Sequence, residues 1–283
     1  MMIDAETRMV AILGCPVRHS LSPLIHNLSF RHQGLNLRYV ALKVAPADLR
    51  AAVRGLPAMG FLGANVTIPH KAAVLELMDS LSKAAGAARA VNTIVCRSGN
   101  LFGDNTDIAG FLSPLSEYRL HGTRMVILGA GGAARAAAYG LLMSHAPDEL
   151  YLAARRITQA EALAADLAAH DRTGALACVP INEAGGYVRS ARLIVNTTPV
   201  GMDPRHDATP WHATDDFNSD QVVYDLVYRP LETRLLREAR QAGATVIGGL
   251  EMFVQQAAAA YVQWTNRTMD VVAVRAALAD TLC

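Results

Sequence analysis

The chain has 283 residues, 52% of them hydrophobic and 18% charged, with a net charge of +1. That length suits two domains or one large α/β unit and needs no disulfide or metal staple, while near-neutral charge and only 6% aromatic residues argue against a nucleic-acid face or a stacking platform for single strands. No apolar run reaches the roughly 18–20 residues of a membrane span, the four cysteines (Cys15, Cys96, Cys178, Cys283) form no C-x-x-C pair, and the N-terminus lacks a leader pattern, so a cytoplasmic protein with free thiols is expected.

Short apolar runs alternate with helical segments along the chain. Arg8–Leu13 reads as a buried strand closed by Gly14 and Pro16. Ser22-Pro23 reads as an N-cap and first helical residue, with the helix reaching about Gln33. Leu37–Lys43 is a strand, Pro46 opens a helix that Gly60 ends, Phe61–Val66 is a third strand, and Pro69 begins a third helix. Thr93–Cys96, Ser98-Gly99-Asn100 and Leu101-Phe102 read as a β-hairpin. A second series starts at Arg124, with strands at 125–128 and near 150–154, 175–180, 192–196, 222–226 and 244–247. After Gly248-Gly249 the chain is helical to its end, with residues 250, 253, 254, 257, 258, 261 and 262 on one buried face. Strands alternating with helices imply an α/β fold with mostly parallel sheets: an N-terminal β/α substrate domain and a Rossmann-like dinucleotide domain. The expected division is 1–107 with 249–283 for the first and 108–248 for the second.

Gly129-Ala130-Gly131-Gly132-Ala133-Ala134 fits G-x-G-x-x-A directly after a strand and at a helix start. The first glycine permits the tight turn, the second lets a pyrophosphate approach the backbone, and the small later residues let helix and strand pack closely. The phosphates then meet the free N–H groups and dipole of the helix N-terminus. An NAD site places a carboxylate at the end of the next strand; here Ala153-Ala154-Arg155-Arg156 has none, and two guanidiniums suit a 2′-phosphate. NADP is the expected cofactor.

Polar residues gather at strand ends in the N-terminal part: His19-Ser20-Leu21-Ser22-Pro23, Asn65-Val66-Thr67-Ile68-Pro69-His70-Lys71, Val91-Asn92-Thr93 and Asp104-Asn105-Thr106-Asp107. Hydroxyls, amides, one amine and one carboxylate suit a small polyhydroxylated acid and proton transfer coupled to hydride transfer. Ser22 could equally cap a helix, Lys71 could be a solvated first-turn residue, Asp107 could cap the following helix, and Tyr228 could be a core residue. Cys15, His19 and His26 match no common metal spacing, and no metal is expected.

These segments resemble the shikimate dehydrogenase family, including its quinate/shikimate members. The resemblance continues through Ala90-Val91-Asn92-Thr93, Asn105-Thr106-Asp107, Gly129–Ala133, Asn196-Thr197-Thr198-Pro199-x-Gly201-Met202, Asp225-Leu226-Val227-Tyr228-x-Pro230 and Gly249-Leu250-x-Met252 followed by Gln256. It implies reversible reduction of 3-dehydroshikimate to shikimate by NADPH, a step toward chorismate and the aromatic amino acids, with small molecules as partners, no nucleic acid or membrane, and a monomer or homodimer. Residue by residue, it implies Ser20 and Ser22 for the substrate carboxylate and Thr67, Asn92, Asp107 and Gln256 for ring hydroxyls, with Asn65 and Tyr228 completing the pocket. It also implies Lys71 as acid/base paired with Asp107, Gly129, Ala130, Gly131, Gly132, Ala133, Arg155 and Arg156 for the dinucleotide, and Met202, Val227 and Gly249 for the nicotinamide. Hydride delivery to a ketone develops an alkoxide, and an ammonium offers it both a proton and electrostatic support.

The sequence departs from the family pattern at five positions, one of them Arg156, which stands where the 2′-phosphate loop usually has threonine. Ile108 stands where glycine follows Asn-Thr-Asp, and would alter the next helix or crowd the cleft. Ala154 and Gln159 replace an asparagine and an arginine of the usual 2′-phosphate loop, which leaves weaker NADP binding or dual cofactor use open. Glu251 stands where glycine is common. A quinate-oxidising paralogue using NAD, or a silent NADP sensor, are the competing expectations.

Overall fold

The computed structural model describes residues 3–282, so Cys283 lies outside the described residues. The chain divides into two compact units. Residues up to Asp107 with Val254–Thr281 form the first, and Ile108–Phe253 form the second.

The first unit contains β1 (Arg8–Gly14), α1 (Ser22–His32), β2 (Leu37–Lys43), α2 (Leu49–Gly55), β3 (Gly63–Val66), β4 (Ser80–Leu81), α3 (Lys83–Ala88), β5 (Thr93–Arg97) and β6 (Asn100–Asp104). They form a six-stranded sheet in the order β2-β1-β3-β5-β6-β4. β1 pairs in parallel with β2 and β3, and β5 joins β3 antiparallel. Val10, Ala11, Ile12 and Leu13 are all buried, as an unbroken apolar run in an interior strand requires. The β5–β6 hairpin pairs Arg97 with Asn100, and its two turn residues, Ser98 and Gly99, both take positive φ. That left-handed pair matches the twist of the flanking strands. On one side of the sheet Ala11, Leu13, Val53, Ala64, Val66, Ile94 and Leu101 share a core.

The second unit contains β7 (Arg124–Leu128), α5 (Gly132–Ser144), β8 (Glu149–Ala154), α6 (Ile157–Leu167), β9 (Leu176–Pro180), α7 (Gly185–Ser190), β10 (Leu193–Asn196), β11 (Val222–Asp225), α8 (Arg234–Gln241) and β12 (Thr245–Ile247), preceded by α4 (Thr106–Leu112), whose first two residues belong to the first unit. Its sheet is wholly parallel, in the order β12-β11-β10-β7-β8-β9. Read from β9, this is the doubly wound order 3-2-1-4-5-6, whose ligand crevice opens at the carboxyl ends of β7 and β10, where the strand order reverses. Ala134, Ala137, Ala138 and Leu141, spaced as one helical face, bury α5 against a core that includes Ile127, Leu152 and Val195.

Two long helices close the chain, α9 (Gly249–Thr265) and α10 (Val271–Leu282). The helical run expected from Gly249 onward is broken by Asn266, which takes φ +54°. Val254, Ala257, Tyr261 and Trp264 make the buried face of α9, whereas Val262 is 41% exposed and does not belong to it. The division between units falls inside α9, after Phe253, and not at Gly249. The first turn packs with the second unit: Met252 lies on that unit's core and the Phe253 ring stacks on Tyr228 with centroids 5.2 Å apart.

Three other expectations are corrected. Ser22 is the first residue of α1 and not its N-cap: the cap position is Leu21, whose carbonyl already accepts from Ile25 N. No α-helix begins at Pro69. The Ile68–Pro69 bond is cis, and the Lys71 carbonyl accepts the Val91 N–H, so it is spent outside any helix; only a 3-10 turn over Ala73–Leu77 follows. β3 starts at Gly63, two residues after the expected Phe61. Ile108 is a buried residue of α4, and the helix still starts at Thr106.

Candidate active site

The first unit brings Lys71, Asp107, Asn92 and Asn65 into one hydrogen-bond network. Lys71 lies on the loop after β3, which is pinned along its length. Thr67 N–H donates to Leu13 O, His70 N–H donates to Thr67 O, and the buried His70 ring meets Val44 O at 2.8 Å through Nε2. Gly14 makes room for this loop, since a Cβ there would lie 2.4 Å from Thr67 Cγ2. Lys71 Nζ donates to Asp107 Oδ2 at 2.7 Å, and the two side chains are 34% and 18% exposed. The pair therefore reaches solvent and can meet a ligand.

Asn92 orients the carboxylate. Its Nδ2 donates to Asp107 Oδ1 at 2.8 Å, while its Oδ1 accepts the Thr106 N–H at 2.7 Å and the Thr93 hydroxyl at 3.0 Å. The hairpin register, which pairs Thr93 with Asp104, carries Asn92 up to the start of α4, where its N–H donates to Asp104 O. The α4 cap is Asn105, whose Oδ1 accepts the Asp107 N–H at 3.2 Å, so the Asp107 carboxylate is not consumed as a cap. Asn65, 5% exposed on β3, donates to Asn92 O and Thr93 Oγ1 and accepts the Tyr39 hydroxyl at 2.7 Å. Burial drives the Tyr39 phenol well above its usual range, with the Ser22 hydroxyl working against the shift. Tyr39 lies in an aromatic stack with His26, ring centroids 4.4 Å apart. Both His26 nitrogens lack a partner, and burial lowers its pKa to about 3, so the ring is neutral. No cluster able to hold a metal occurs among the described residues.

Ser20 and Ser22 sit at the entry to α1. The Ser20 Oγ accepts the Ser22 N–H at 3.2 Å. Ser20 thus has a local use that its sequence context does not suggest, and Ser22 is released from the capping use that it does. Gln256 lies on the part of α9 that belongs to the first unit, and Thr67 is half-buried on the Lys71 loop. Tyr228 belongs instead to the second unit, half-buried against Phe253.

In the second unit the glycine turn follows β7. Gly129 takes φ +117°, and a Cβ there would lie 2.6 Å from Thr197 Oγ1. Gly131 and Gly132 have open space where a Cβ would stand, and Gly131, Gly132 and Ala133 are exposed, so the first N–H groups of α5 are accessible. Arg155 and Arg156 are exposed just past β8, with no carboxylate partner among the described residues. Bare backbone donors at a helix N-terminus beside two unpaired guanidiniums fit a dinucleotide carrying a 2′-phosphate. Met202 is 47% exposed on the loop after β10, and Val227 is buried after β11. A Cβ on Gly249 would lie 2.3 Å from Leu226 O, so only glycine lets α9 start this close to that loop.

Sequence reasoning assigned no role to Thr93, Thr106, Tyr39 or Thr233. The first two lie inside quoted segments, and the hairpin register is the signal that would have joined them. Tyr39 and Thr233 have no local signal.

Comparison with known proteins agrees with this geometry. Residues 12–94 match the shikimate dehydrogenase substrate binding domain, and residues 249–279 match the shikimate 5′-dehydrogenase C-terminal domain. A shikimate dehydrogenase (NADP+) of Salinibacter ruber is 58% identical over 98% of this chain and 99% of its own. A crystal structure of a shikimate dehydrogenase in complex with NADP+ superposes with a TM-score of 0.94 at 37% identity, covering 100% of this chain and 98% of that one. A shikimate 5-dehydrogenase from Listeria monocytogenes in complex with shikimate and NAD gives 0.92 at 31% identity, covering 98% of each chain. With 98% of its length matched at 58% identity, the chain belongs to the shikimate dehydrogenase family.

Proposed function

We propose that this chain catalyses the reversible, NADPH-dependent reduction of 3-dehydroshikimate to shikimate. The observation that carries the reading is the Lys71–Asp107–Asn92 cluster, with ionic and amide hydrogen bonds of 2.7 and 2.8 Å. Bound NADPH supplies the hydride that adds to the ketone carbon. Lys71 Nζ gives a proton to the ketone oxygen as negative charge develops there, and takes one from the alcohol in reverse. Asp107 accepts a hydrogen bond from Lys71 Nζ and fixes where the amine stands. Asn92 holds the carboxylate by its second oxygen, so the amine can swing only about a fixed anchor.

Within the first unit, Ser20 and Ser22 bind the substrate carboxylate and Thr67, Asn92 and Gln256 its ring hydroxyls, with Asn65 completing the pocket. Asn65 and Asn92 are pre-oriented, since buried partners already fix which way each amide faces. The Gly129–Ala133 turn and the α5 N-terminus take the pyrophosphate, Arg155 and Arg156 the 2′-phosphate, and Met202, Val227 and Gly249 the nicotinamide end.

A second reading, use of NAD or oxidation of quinate, is favoured by one observation. Ala154 is 5% exposed and has no polar group to offer a 2′-phosphate. Steady-state rates with shikimate and quinate, each with NADP+ and NAD+, separate the readings. Shikimate with NADP+ is expected to give the highest kcat/KM; preference for quinate with NAD+ supports the second reading instead, and no activity with any pair rejects both.

A further inference from the structure

Asp225 is a fully buried carboxylate at the carboxyl end of β11, outside the cluster that moves the proton. Its Oδ1 accepts Asn196 Nδ2 at 2.8 Å and the Val227 N–H at 3.0 Å, and its Oδ2 accepts the Thr233 hydroxyl at 2.7 Å. One side chain therefore ties together three places: the end of β10, the loop after β11, and the N-cap of α8, which Thr233 provides by accepting the Leu236 N–H. The tie extends further through Asn196, whose Oδ1 accepts both the N–H and the hydroxyl of Thr198. The adjacent Thr197 donates its N–H and its hydroxyl to Leu128 O, one residue before the glycine turn. Hydrogen bonds and short backbone links thus connect α8 to the residue before the turn after β7, with Asp225 and Asn196 at the buried centre.

A buried carboxylate is costly unless fully hydrogen-bonded, and Asp225 is held by three donors that an apolar side chain would leave unsatisfied. The network lies at the carboxyl ends of the strands, where a doubly wound sheet binds its ligand. We propose that Asp225 is a positioning residue for the nicotinamide half of the cofactor: it sets the backbone of the Val227 loop and, through Asn196, the loop leading to Met202. The inference rests on reading the second unit as the NADP unit. The adenosine half lies apart from this network in the sequence of binding groups, at Arg155 and Arg156, so the two halves of the cofactor can be probed separately.

The test is calorimetric binding of NADP+ and of adenosine 2′,5′-bisphosphate, which carries the adenosine with its 2′- and 5′-phosphates but no nicotinamide half, to the full-length wild type, Asp225→Asn and Thr233→Val. Thermal melting and circular dichroism monitor the fold of each. The amide cannot accept all three donors, so Asp225→Asn should weaken NADP+ by about tenfold, the scale of one lost hydrogen bond to a charged group. Its affinity for the bisphosphate should stay within about twofold. Thr233→Val should show the same split more weakly, and it keeps the inference testable if Asp225→Asn does not fold. Equal losses for both ligands, or no loss for either, overturn the positioning role while leaving the NADP reading intact. If the wild type binds neither ligand, the NADP reading itself fails.

Discussion

Replacing Asp107 by asparagine keeps the shape of the side chain and removes its charge. Asp107 receives two donors, Lys71 Nζ at 2.7 Å and Asn92 Nδ2 at 2.8 Å. An amide has one oxygen for those two donors. If the oxygen stays with Asn92, its NH2 group faces the ammonium of Lys71, which then loses its anchor. The cost to folding is small, because the pair is 34% and 18% exposed and solvent screens it. Such a pair contributes up to about 1 kcal/mol, or a melting shift of no more than about 4 °C. The cost to catalysis is larger. A hydrogen bond to a charged group is worth about 1.5–3 kcal/mol, and if that is lost at the transition state kcat falls roughly 10- to 150-fold. The assay is shikimate oxidation at saturating NADP+, with KM and melting temperature measured on the same preparation. The expected result is the loss in kcat, a KM within about threefold and a nearly unchanged melting temperature. A kcat within about twofold of wild type would refute the anchoring role. So would a loss of activity that merely tracks a melting drop beyond about 10 °C.

Three further outcomes follow from other parts of the molecule. Gly63→Ala should destabilise by roughly 2–4 kcal/mol, seen as a clear fall in melting temperature, because the new Cβ would lie 2.1 Å from Ile94 O and 2.5 Å from Trp264 Nε1, which share a hydrogen bond. A wild-type melting temperature would show that Trp264 can move aside freely. Arg155→Ala should weaken NADP+ more than NAD+ in direct binding; equal weakening would mean that the 2′-phosphate is not held there. Burial raises the Asp225 pKa to about 6 despite its three donors. A raised carboxyl pKa means that the folded chain holds the proton more tightly than the unfolded one. Its contribution is therefore complete below about pH 4 and lost as pH rises through about 6. Chemical denaturation from pH 4 to 7.5 should show wild type losing on the order of 3 kcal/mol relative to Asp225→Asn, most of it below pH 6.5, and parallel curves would contradict this.

The fold is largely legible because most strands of both sheets are short apolar runs bounded by glycine, proline or polar residues; the two-residue edge strand β4, exposed at both positions, has no such signal. What escaped was set by contacts distant in sequence. Ser82 caps α3 and also reaches Asp104, but Gly86 in mid-helix hides the element from a reading by propensity. The expected helix at Pro69 failed because Val91, twenty residues away, claims the Lys71 carbonyl. At the candidate site, the segments carrying Lys71, Asp107, Asn92 and Asn65 are legible by residue type and order, but their meeting depends on the pairing of β5 with both β3 and β6. The Asp225 network was visible only as separate fragments, since Asn196, Asp225 and Thr233 sit on three different segments and meet only in the folded sheet.

In the proposed mechanism Lys71 exchanges the proton. The most direct test of this is Lys71→Ala in steady-state turnover of shikimate with NADP+. The expected result is a kcat lower by at least about 100-fold with only a modest change in KM, as removal of a general acid–base group requires. A large rise in KM with kcat intact would contradict it and make Lys71 a binding residue.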